Sequence, residues 1–428
     1  MNDLFKYFKF TRPNILLFVI YLGLFVYLIF QPAIYSPDTY SYLGLHVYRY
    51  PGYSIFSRGL QFALGDYFNP IIVGIQLLFG FFAIHLFAAN CRDLFKMGPI
   101  PYLAVIAVLL FAYFPPLWIG NNICSEGIAY PLYLLLISFS FDFLFRSENR
   151  KWIHLSIVFI LLALTRGQFV LLAPMLAFLY ILKEGRLVVQ KSKIFYLLLF
   201  LVLPLSIQLI DRSYHKIVHG IFDATPFSYV NAITLPLFVS EEGDAKDLKT
   251  QDEREIFLET YSELKNRSLL MSEIPGEVSE QYDYFFKKFP VICNQTFHPI
   301  SMDHFAKEFG RQTHNAVLAE KAAKEMMPVL VKNNLQKYIS LLWQGIVRSF
   351  YGIIPLILVV SLLIYSFFAS IKTWNNYNGL LLFAALLIIV NSYLAAFAAI
   401  PIIRYLFYNF FFVILIAFII YNKIKTKI

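Results

Sequence analysis

Residues 152–183 read WIHLSIVFILLALTRGQFVLLAPMLAFLYILK, an apolar run with one polar interruption at Thr165-Arg166-Gly167-Gln168. About 20 helical residues cross the ~30 Å hydrocarbon core of a bilayer, so this run is too long for one crossing. A polar centre would also be costly in the middle of a single span. The run therefore predicts two helices, 152–165 and 167–183, that form a re-entrant or helix–turn–helix pair with a tight turn at Arg166.

The whole chain has the composition of a polytopic membrane protein. Of its 428 residues 59% are hydrophobic and only 15% are charged, too few to cover the two or three soluble domains that this length would otherwise form. Apolar blocks recur along the chain, which a single cleaved signal peptide cannot explain. We therefore predict an all-α fold of about ten transmembrane helices, over residues 13–30, 70–89, 101–119, 124–145, 152–165, 167–183, 194–211, 351–371, 379–399 and 403–421.

The distribution of charge gives these spans an orientation. Residues 211–348 hold 16 basic and 19 acidic side chains, whereas the rest of the chain holds 20 basic and 8 acidic ones. The surplus of positive charge falls in alternate short loops and both termini, which the positive-inside rule places in the cytoplasm. Lys6, Lys9 and Lys427 belong to this set, and the short outer segments carry only Arg49, Arg58, Arg166 and Arg404. No basic, aromatic-interleaved patch suggests nucleic-acid binding.

Three segments follow from this topology. Residues 1–211 form an N-terminal transmembrane module of seven predicted spans, with a first outer loop at 31–69. Residues 212–350 form an extracytoplasmic, mostly helical segment, and 351–428 form a C-terminal transmembrane module of three predicted spans. The apolar spacing after Ile55 predicts a helix lying in the membrane interface. The stretch from Asn315 to Phe350 predicts a helix in which Pro328 is a break or a first-turn residue.

Cysteine and histidine offer little for metal chemistry. Cys91, Cys124 and Cys293 lack metal-type spacing; Cys124 and Cys293 are both predicted outside, so a disulfide and two buried thiols both stay open. Four outer histidines lack the spacing of a HExxH helix: His46, His298, His304 and His314. We predict no metal ligand and no certain cofactor, and a divalent metal has no support in the sequence.

The few charges on the outer side form the best candidate site. The topology places Asp38, Glu126, Arg166 and Arg404 at one level, the outer membrane–water boundary. Two carboxylates and two or three guanidiniums there could combine a base with phosphate-binding groups, since the guanidinium fork binds phosphate oxygens bidentately. Taken singly, the acidic residues could instead be helix caps and the arginines snorkelling anchors.

At the first outer loop the sequence resembles the GT-C superfamily of membrane glycosyltransferases. The resemblance is closest to the families that use polyprenyl- or dolichyl-phosphate sugars, such as the protein mannosyltransferases and aminoarabinose transferases. Their early acidic residue, Tyr and Arg-x-Pro-Gly-Tyr-like segment match Asp38, Tyr42 and Arg49-Tyr-Pro-Gly-Tyr53, although Ser54 stands where many members have a further Pro. Glu126, Arg166 and Arg404-Tyr405 match a second acidic residue, an Arg after the fifth span and a late Arg-Tyr.

The resemblance implies an enzyme that transfers a hexose or pentose from a polyprenyl-phosphate donor to a lipid, glycan or protein acceptor. Asp38 is the expected general base, with inversion at the anomeric carbon, and Glu126 would orient the acceptor or share that role. Arg166 and Arg404, with Arg49 as a further candidate, would hold the leaving phosphate, and the aromatic substrate-binding residues would be Tyr42, Tyr53 and Tyr405. The expected location is a plasma or bacterial inner membrane, with both termini cytoplasmic and the site outside.

Two other functions stay open at this point. A transporter or lipid flippase usually has symmetry-related repeats and polar residues at mid-membrane. This chain has no evident internal repeat, and Asn391 is nearly alone at depth. An O-antigen ligase or polymerase would use Arg and His in a large outer loop, where Arg311 and His314 stand here.

Overall fold

The computed structural model describes residues 12–425, and the only regular secondary structure in them is helix, at 83%, with none in a strand. The predicted all-α class is confirmed. Within residues 12–425, six helical stretches are long and apolar enough to cross a membrane: Pro51–Phe95, Glu126–Phe145, Lys191–His219, Ile353–Lys372, Asn376–Ala398 and Ile403–Lys425. The first and the last of these each consist of two helices joined by a 3-10 turn, Gly65–Tyr67 and Phe407–Asn409. The chain therefore has the character of a membrane protein, and the count of ten spans stays a prediction. Lys6, Lys9 and Lys427, which support the predicted orientation, lie outside the described residues.

The chain divides into two compact units. The first comprises Met1–Asp211, Val360–Ile388 and Phe407–Ile428, and the second Arg212–Val359 and Ile389–Leu406. The helices of the first 190 residues are α1 Arg12–Ile29, α2 Pro37–Leu43, α3 Pro51–Leu64, α4 Phe68–Phe95, α5 Pro99–Leu110, α6 Glu126–Phe145, α7 Trp152–Thr165 and α8 Leu172–Glu184. The later helices are α9 Lys191–His219, α10 Ser228–Ala232, α11 Thr234–Val239, α12 Gln251–Asn266, α13 Val278–Ile292, α14 His298–Phe309, α15 His314–Asn333, α16 Leu335–Ser349, α17 Ile353–Lys372, α18 Asn376–Ala398, α19 Ile403–Leu406 and α20 Phe411–Lys425.

Helix α6 is the central helix of the first unit. It is buried on all sides for 94% of its most apolar stretch and packs against both α4 and α7. A polar cluster fastens its C-terminal end to α4, because the buried Asn90 amide donates to Ser138 Oγ at 2.7 Å and to Asp142 Oδ1 at 3.1 Å. Arg146 pairs with Asp142 and donates to Asp93 Oδ2 at 2.8 Å, so the buried carboxylate is neutralised.

An irregular segment before α6 holds the first loop in place. The third span was predicted to continue as helix to residue 119, but α5 ends at Leu110 and is followed only by a 3-10 turn, Phe111–Tyr113. Pro115 and Pro116 explain the error, since neither can donate a helical hydrogen bond. The backbone after these prolines pairs with the start of the first loop, where the Ile34 N–H donates to Asn121 O at 2.8 Å and the Ile123 N–H to Ile34 O at 3.0 Å.

The turn predicted at Arg166 is present, and α3 packs against it. Helix α7 ends at Thr165, Arg166 is extended, and a 3-10 turn over Gly167–Leu171 leads into α8. The start of α3 lies so close to this turn that a Cβ on Gly52 would be 2.7 Å from Thr165 Oγ1 and 2.9 Å from the Leu164 carbonyl. A Cβ on Gly167 would be 2.1 Å from the Tyr50 hydroxyl. The absence of a side chain at Gly52 lets the start of α3 touch the backbone at Leu164, and at Gly167 it makes room for the Tyr50 side chain.

We expect Gly52→Ala to destabilise the protein by about 1–3 kcal/mol, because the added methyl group meets backbone atoms that cannot rotate away. Chemical unfolding in mixed micelles, followed by circular dichroism, measures the change. The matched control is Gly59→Ala on the same helix, where a Cβ meets nothing within 4 Å. This control should be neutral or stabilising by up to about 1 kcal/mol, since alanine is the better helix former. Equal effects of the two changes would contradict the close packing.

The second unit has an apolar core of its own. Helices α10 to α16 pack around Phe238, Phe257, Phe285, Phe297 and Met326, all with almost no exposed surface. The prediction for Pro328 is wrong, because it lies inside α15 and the helical stretch breaks instead at Asn334. Asn334 Nδ2 donates to Asp244 Oδ2 at 2.7 Å, and this contact with another segment stabilises the break.

Candidate functional site

The first half of the site is a partly exposed ion pair in the first loop. Asp38 lies in the first turn of α2, and the loop from Gly44 to Tyr50 brings Arg49 back beside it. Arg49 Nη2 is 2.6 Å from Asp38 Oδ1, and Arg49 Nε donates to Ser41 Oγ at 2.7 Å. Ser41 in turn donates to the Asp38 carbonyl at 2.6 Å. The guanidinium is therefore held at two points, and its charge compensates the carboxylate.

Two tyrosines form the floor beneath this pair. The Arg49 guanidinium lies 4.7 Å from the centre of the Tyr42 ring, in cation–π geometry, and the Tyr53 ring meets Tyr42 edge-on at 5.0 Å. Burial raises the pKa of the Tyr42 hydroxyl, so this hydroxyl stays protonated and donates, at 3.0 Å, to Ser125 Oγ. The Tyr53 hydroxyl donates to Gln76 Oε1 at 2.9 Å.

The second half of the site is a buried ion pair. Glu126 is the first residue of α6, and Arg166 follows the last residue of α7, so the packing of these two helices brings them together. The Arg166 guanidinium pairs with the Glu126 carboxylate and also donates to Ser125 Oγ at 3.2 Å and Gln168 Oε1 at 3.3 Å. The structure thus joins five of the residues predicted for the site into one connected group: Asp38, Tyr42, Arg49, Glu126 and Arg166. Tyr53, also predicted for the site, contacts this group through the Tyr42 ring.

Ser125 connects the two halves, and the sequence analysis missed it. Its fully buried hydroxyl accepts from both Tyr42 and Arg166 and lies 3.4 Å from Glu126 Oε2. Gln76, also fully buried, was missed too; its Nε2 donates to the Gly120 carbonyl at 2.9 Å and the Asn122 carbonyl at 3.2 Å. The sequence did contain a signal for each residue: Ser125 stands beside a candidate acidic residue, and Gln76 lies within an apolar span. Because a polar side chain buried in such a place needs a hydrogen-bond partner, both could have been proposed as connecting residues.

Ser125→Ala should lower the free energy of unfolding by about 1–3 kcal/mol, because the Tyr42 hydroxyl and the Arg166 guanidinium each lose a buried partner. Denaturant titration in mixed micelles measures this loss. Ser57→Ala is the matched control, since Ser57 is also fully buried but donates within its own helix, to the Tyr53 carbonyl at 2.8 Å. We expect less than about 1 kcal/mol for the control. A neutral Ser125→Ala would mean that Ser125 does not couple the two halves.

The two ion pairs differ in their access to solvent. The Asp38 and Arg49 side chains are 28% and 25% exposed, whereas those of Glu126 and Arg166 are 4% and 11% exposed. A ligand that approaches the site can therefore reach the first pair without a rearrangement. The second pair lies beneath the first and is neutralised within the protein.

Arg404 and Tyr405 belong to the second compact unit. Both are half-buried and lie on the short helix α19, and the Tyr405 carbonyl accepts from Asn391 Nδ2 at 2.8 Å. Their assignment to the same site as Asp38 stays a prediction from the sequence. This second unit also contains Arg311, whose side chain is 87% exposed and 3.2 Å from Asp303.

The cysteines and histidines are placed as follows. Cys91, Cys124 and Cys293 are all buried thiols. His304 Nε2 donates to Asp252 Oδ1 at 2.9 Å, and burial lowers the pKa of His298 to about 4. Among residues 12–425, no three His, Cys, Asp or Glu side chains are grouped so that they could hold a metal ion.

The arrangement offers a reachable carboxylate, a reachable guanidinium and an aromatic floor. Such a group can take a proton from a hydroxyl and bind an anion beside it. Comparison with known proteins gives no match to a family model, to a curated protein or to a solved structure.

Proposed function

We propose that the protein is an integral membrane glycosyltransferase that takes its sugar from a polyprenyl-phosphate donor. The observation that carries this proposal is the partly exposed Asp38–Arg49 pair, held over Tyr42 and joined through Ser125 to the buried Glu126–Arg166 pair. In this arrangement the residues that resemble the GT-C motif place a base, Asp38, next to an anion-binding group, Arg49. Helices that can span a membrane provide an environment for a lipid-linked donor.

In the proposed reaction Asp38 is the general base. The acceptor hydroxyl oxygen forms a bond to the anomeric carbon of the donor while its proton passes to the Asp38 carboxylate. The bond from that carbon to the phosphate oxygen breaks, and its electron pair leaves with the polyprenyl phosphate. One displacement without a covalent sugar intermediate inverts the anomeric configuration. The donor's lipid chain stays in the bilayer throughout, which avoids its transfer to water.

The leaving phosphate needs compensation of its negative charge, and the exposure of the two arginines favours Arg49 for this role. Arg49 is a quarter exposed and already holds an anion, the Asp38 carboxylate, at 2.6 Å. A donor phosphate can replace that carboxylate on the guanidinium, which also frees Asp38 to accept a proton. Arg166 then acts mainly as a positioning residue that keeps Glu126 and Ser125 in place. A direct role of Arg166 at the phosphate is the alternative.

The test uses the purified full chain in nanodiscs with a panel of polyprenyl-phosphate hexoses and pentoses. The expected result is release of polyprenyl phosphate from at least one donor, together with transfer of its sugar to an acceptor. The acceptors are extracted from the cell membranes in which the protein is produced. Donor binding without release, combined with its movement across the bilayer in liposomes, would identify a lipid transporter instead. Loss of transfer on changing Arg311 or His314, with Asp38 dispensable, would identify a ligase- or polymerase-type transferase. The site is proposed to face the outside, with both termini in the cytoplasm.

A further inference from the structure

Helix α16 of the second unit carries an apolar stripe that the core of this unit does not cover. Leu335, Ile339 and Trp343 are 50%, 53% and 46% exposed. They stand at positions i, i+4 and i+8, which lie on one face of a helix. A contiguous exposed stripe with a central tryptophan marks a contact surface more often than scattered single residues do.

The same helix already has a buried face. Tyr338, Leu341, Gly345 and Ser349 are buried, and Tyr338 and Leu341 belong to the core of the second unit. A Cβ on Gly345 would be 2.7 Å from the Tyr282 hydroxyl, so α16 is packed tightly against α13. The apolar stripe is therefore a second surface, and α16 is apolar over a wider arc than its own unit uses.

The chain leads from α16 directly into a helix that can span a membrane. Helix α16 ends at Ser349 and α17 begins at Ile353, so the facing helix ends lie within about 14 Å, at most ~3.5 Å for each residue step. Tyr351 and Gly352 have φ values of 60° and 135°, and this left-handed backbone prevents α16 and α17 from forming one continuous rod. Tyr351 in this connection and Ile354 in the first turn of α17 are also exposed and apolar, at 65% and 69%.

We propose that α16 lies in the membrane–water interface, with Leu335, Ile339 and Trp343 inserted at the level where headgroups meet acyl chains. The lipid bilayer is the occupant because only three residues separate α16 from a helix that can span a membrane, and the start of such a helix lies at the membrane surface. Trp is favoured at this depth, since its ring is apolar and its N–H can bond to headgroups or water. Gln336 and Ser340, on the turn beside the stripe, are polar, as expected for the side of an interfacial helix that faces water.

This surface goes beyond the proposed enzymatic function and does not depend on it. It would attach the second unit to the bilayer next to its point of entry, whatever reaction the protein carries out.

Trp343 itself serves as the probe. The full chain and its Trp343→Phe variant are placed in nanodiscs of phosphatidylcholine, with and without bromine atoms on the acyl chains, and the difference between the two chains gives the fluorescence of Trp343. We expect brominated lipid to reduce this fluorescence at least about two-fold, because bromine quenches only at contact distance and the ring is at acyl-chain depth. Aqueous acrylamide should quench it weakly. The conservative change at an exposed position keeps the fold.

The matched control is Leu258→Trp in the Trp343→Phe chain. Leu258 is 42% exposed on α12 of the same unit, among the charged neighbours Glu255 and Glu259. Its tryptophan should be quenched by acrylamide and not by brominated lipid. The proposal is overturned if Trp343 behaves like this control, since the stripe then faces water. Protection of Trp343 from both quenchers also overturns it, since protein then covers the stripe.

Discussion

Asp38→Asn should abolish sugar transfer while the donor still binds. Asparagine has the same size as aspartate. In the unchanged protein Arg49 Nη2 lies 2.6 Å from Asp38 Oδ1, and the amide oxygen of the asparagine can still accept this hydrogen bond. It cannot take a proton from the acceptor hydroxyl. We therefore expect kcat to fall by about 10³-fold, within the range of positioned general bases, with a donor KM that changes little. Transfer from a labelled polyprenyl-phosphate sugar in nanodiscs measures both quantities.

Asp66→Asn is the matched control for this change. Asp66 belongs to the same loop and is exposed, in the 3-10 turn Gly65–Tyr67 before α4. Its conversion should leave kcat unchanged. Full turnover of the Asp38→Asn protein would remove Asp38 from the catalytic role. Arg49→Ala extends the comparison, because it should raise the donor KM more than Asp38→Asn does. If Arg166→Gln instead has the larger effect on donor binding, the phosphate contacts the buried arginine.

The largest expected effect on stability comes from Arg166→Ala. Glu126 has a side chain only 4% exposed, and its charge is compensated by the Arg166 guanidinium. Removing the arginine leaves a carboxylate buried without that partner, which typically costs about 3–5 kcal/mol. The neutral double variant Glu126→Gln with Arg166→Gln should recover much of this loss, because no uncompensated charge remains. Denaturant unfolding in mixed micelles gives the free energies for the complete double-mutant cycle.

Arg58→Ala is the control for loss of an outer arginine. Arg58 is exposed on α3 and donates to Gln61 Oε1 at 2.9 Å, a surface contact of little energetic weight. Its loss should change the free energy of unfolding by less than about 0.5 kcal/mol. A double variant no more stable than Arg166→Ala alone would show that the lost hydrogen bonds to Ser125 and Gln168 matter more than the charge.

The fold class could be predicted because hydropathy reports directly on burial in lipid. The residues from Thr165 to Gln168 also located the end of α7, since three polar side chains and a glycine interrupt a run that is otherwise apolar. Hydropathy could not locate the end of α5, because residues 111–119 are as apolar as the helix before them and only the Pro115–Pro116 pair signals the change. Pro328 led to the opposite error: a break or a helix start was predicted there, but α15 continues through it, because the packing of this helix tolerates one missing hydrogen bond.

The site was predictable in part for a related reason. A charged side chain in an apolar protein is conspicuous, and so Asp38, Arg49, Glu126 and Arg166 could be selected from the sequence. Their pairing could not, because it depends on how α2, α6 and α7 pack. Ser125 and Gln76 were missed since serine and glutamine are common and uncharged, and only their burial shows that they connect other groups. The place of Arg404 and Tyr405 depends on the packing of a separate unit.

The close contact of α3 with the end of α7 has a consequence for recognition. Gly52 lies against the Leu164 carbonyl and the Thr165 hydroxyl, and Gly167 lies against the Tyr50 side chain, so close glycine contacts adjoin both Arg49 and Arg166 in the chain. The start of α3 therefore cannot slide along the end of α7, and the backbone positions of Arg49 and Arg166 keep a fixed separation. In the proposed reaction, different acceptors could therefore be accommodated elsewhere, while the donor phosphate on Arg49 always lies at the same place relative to the buried Glu126–Arg166 pair.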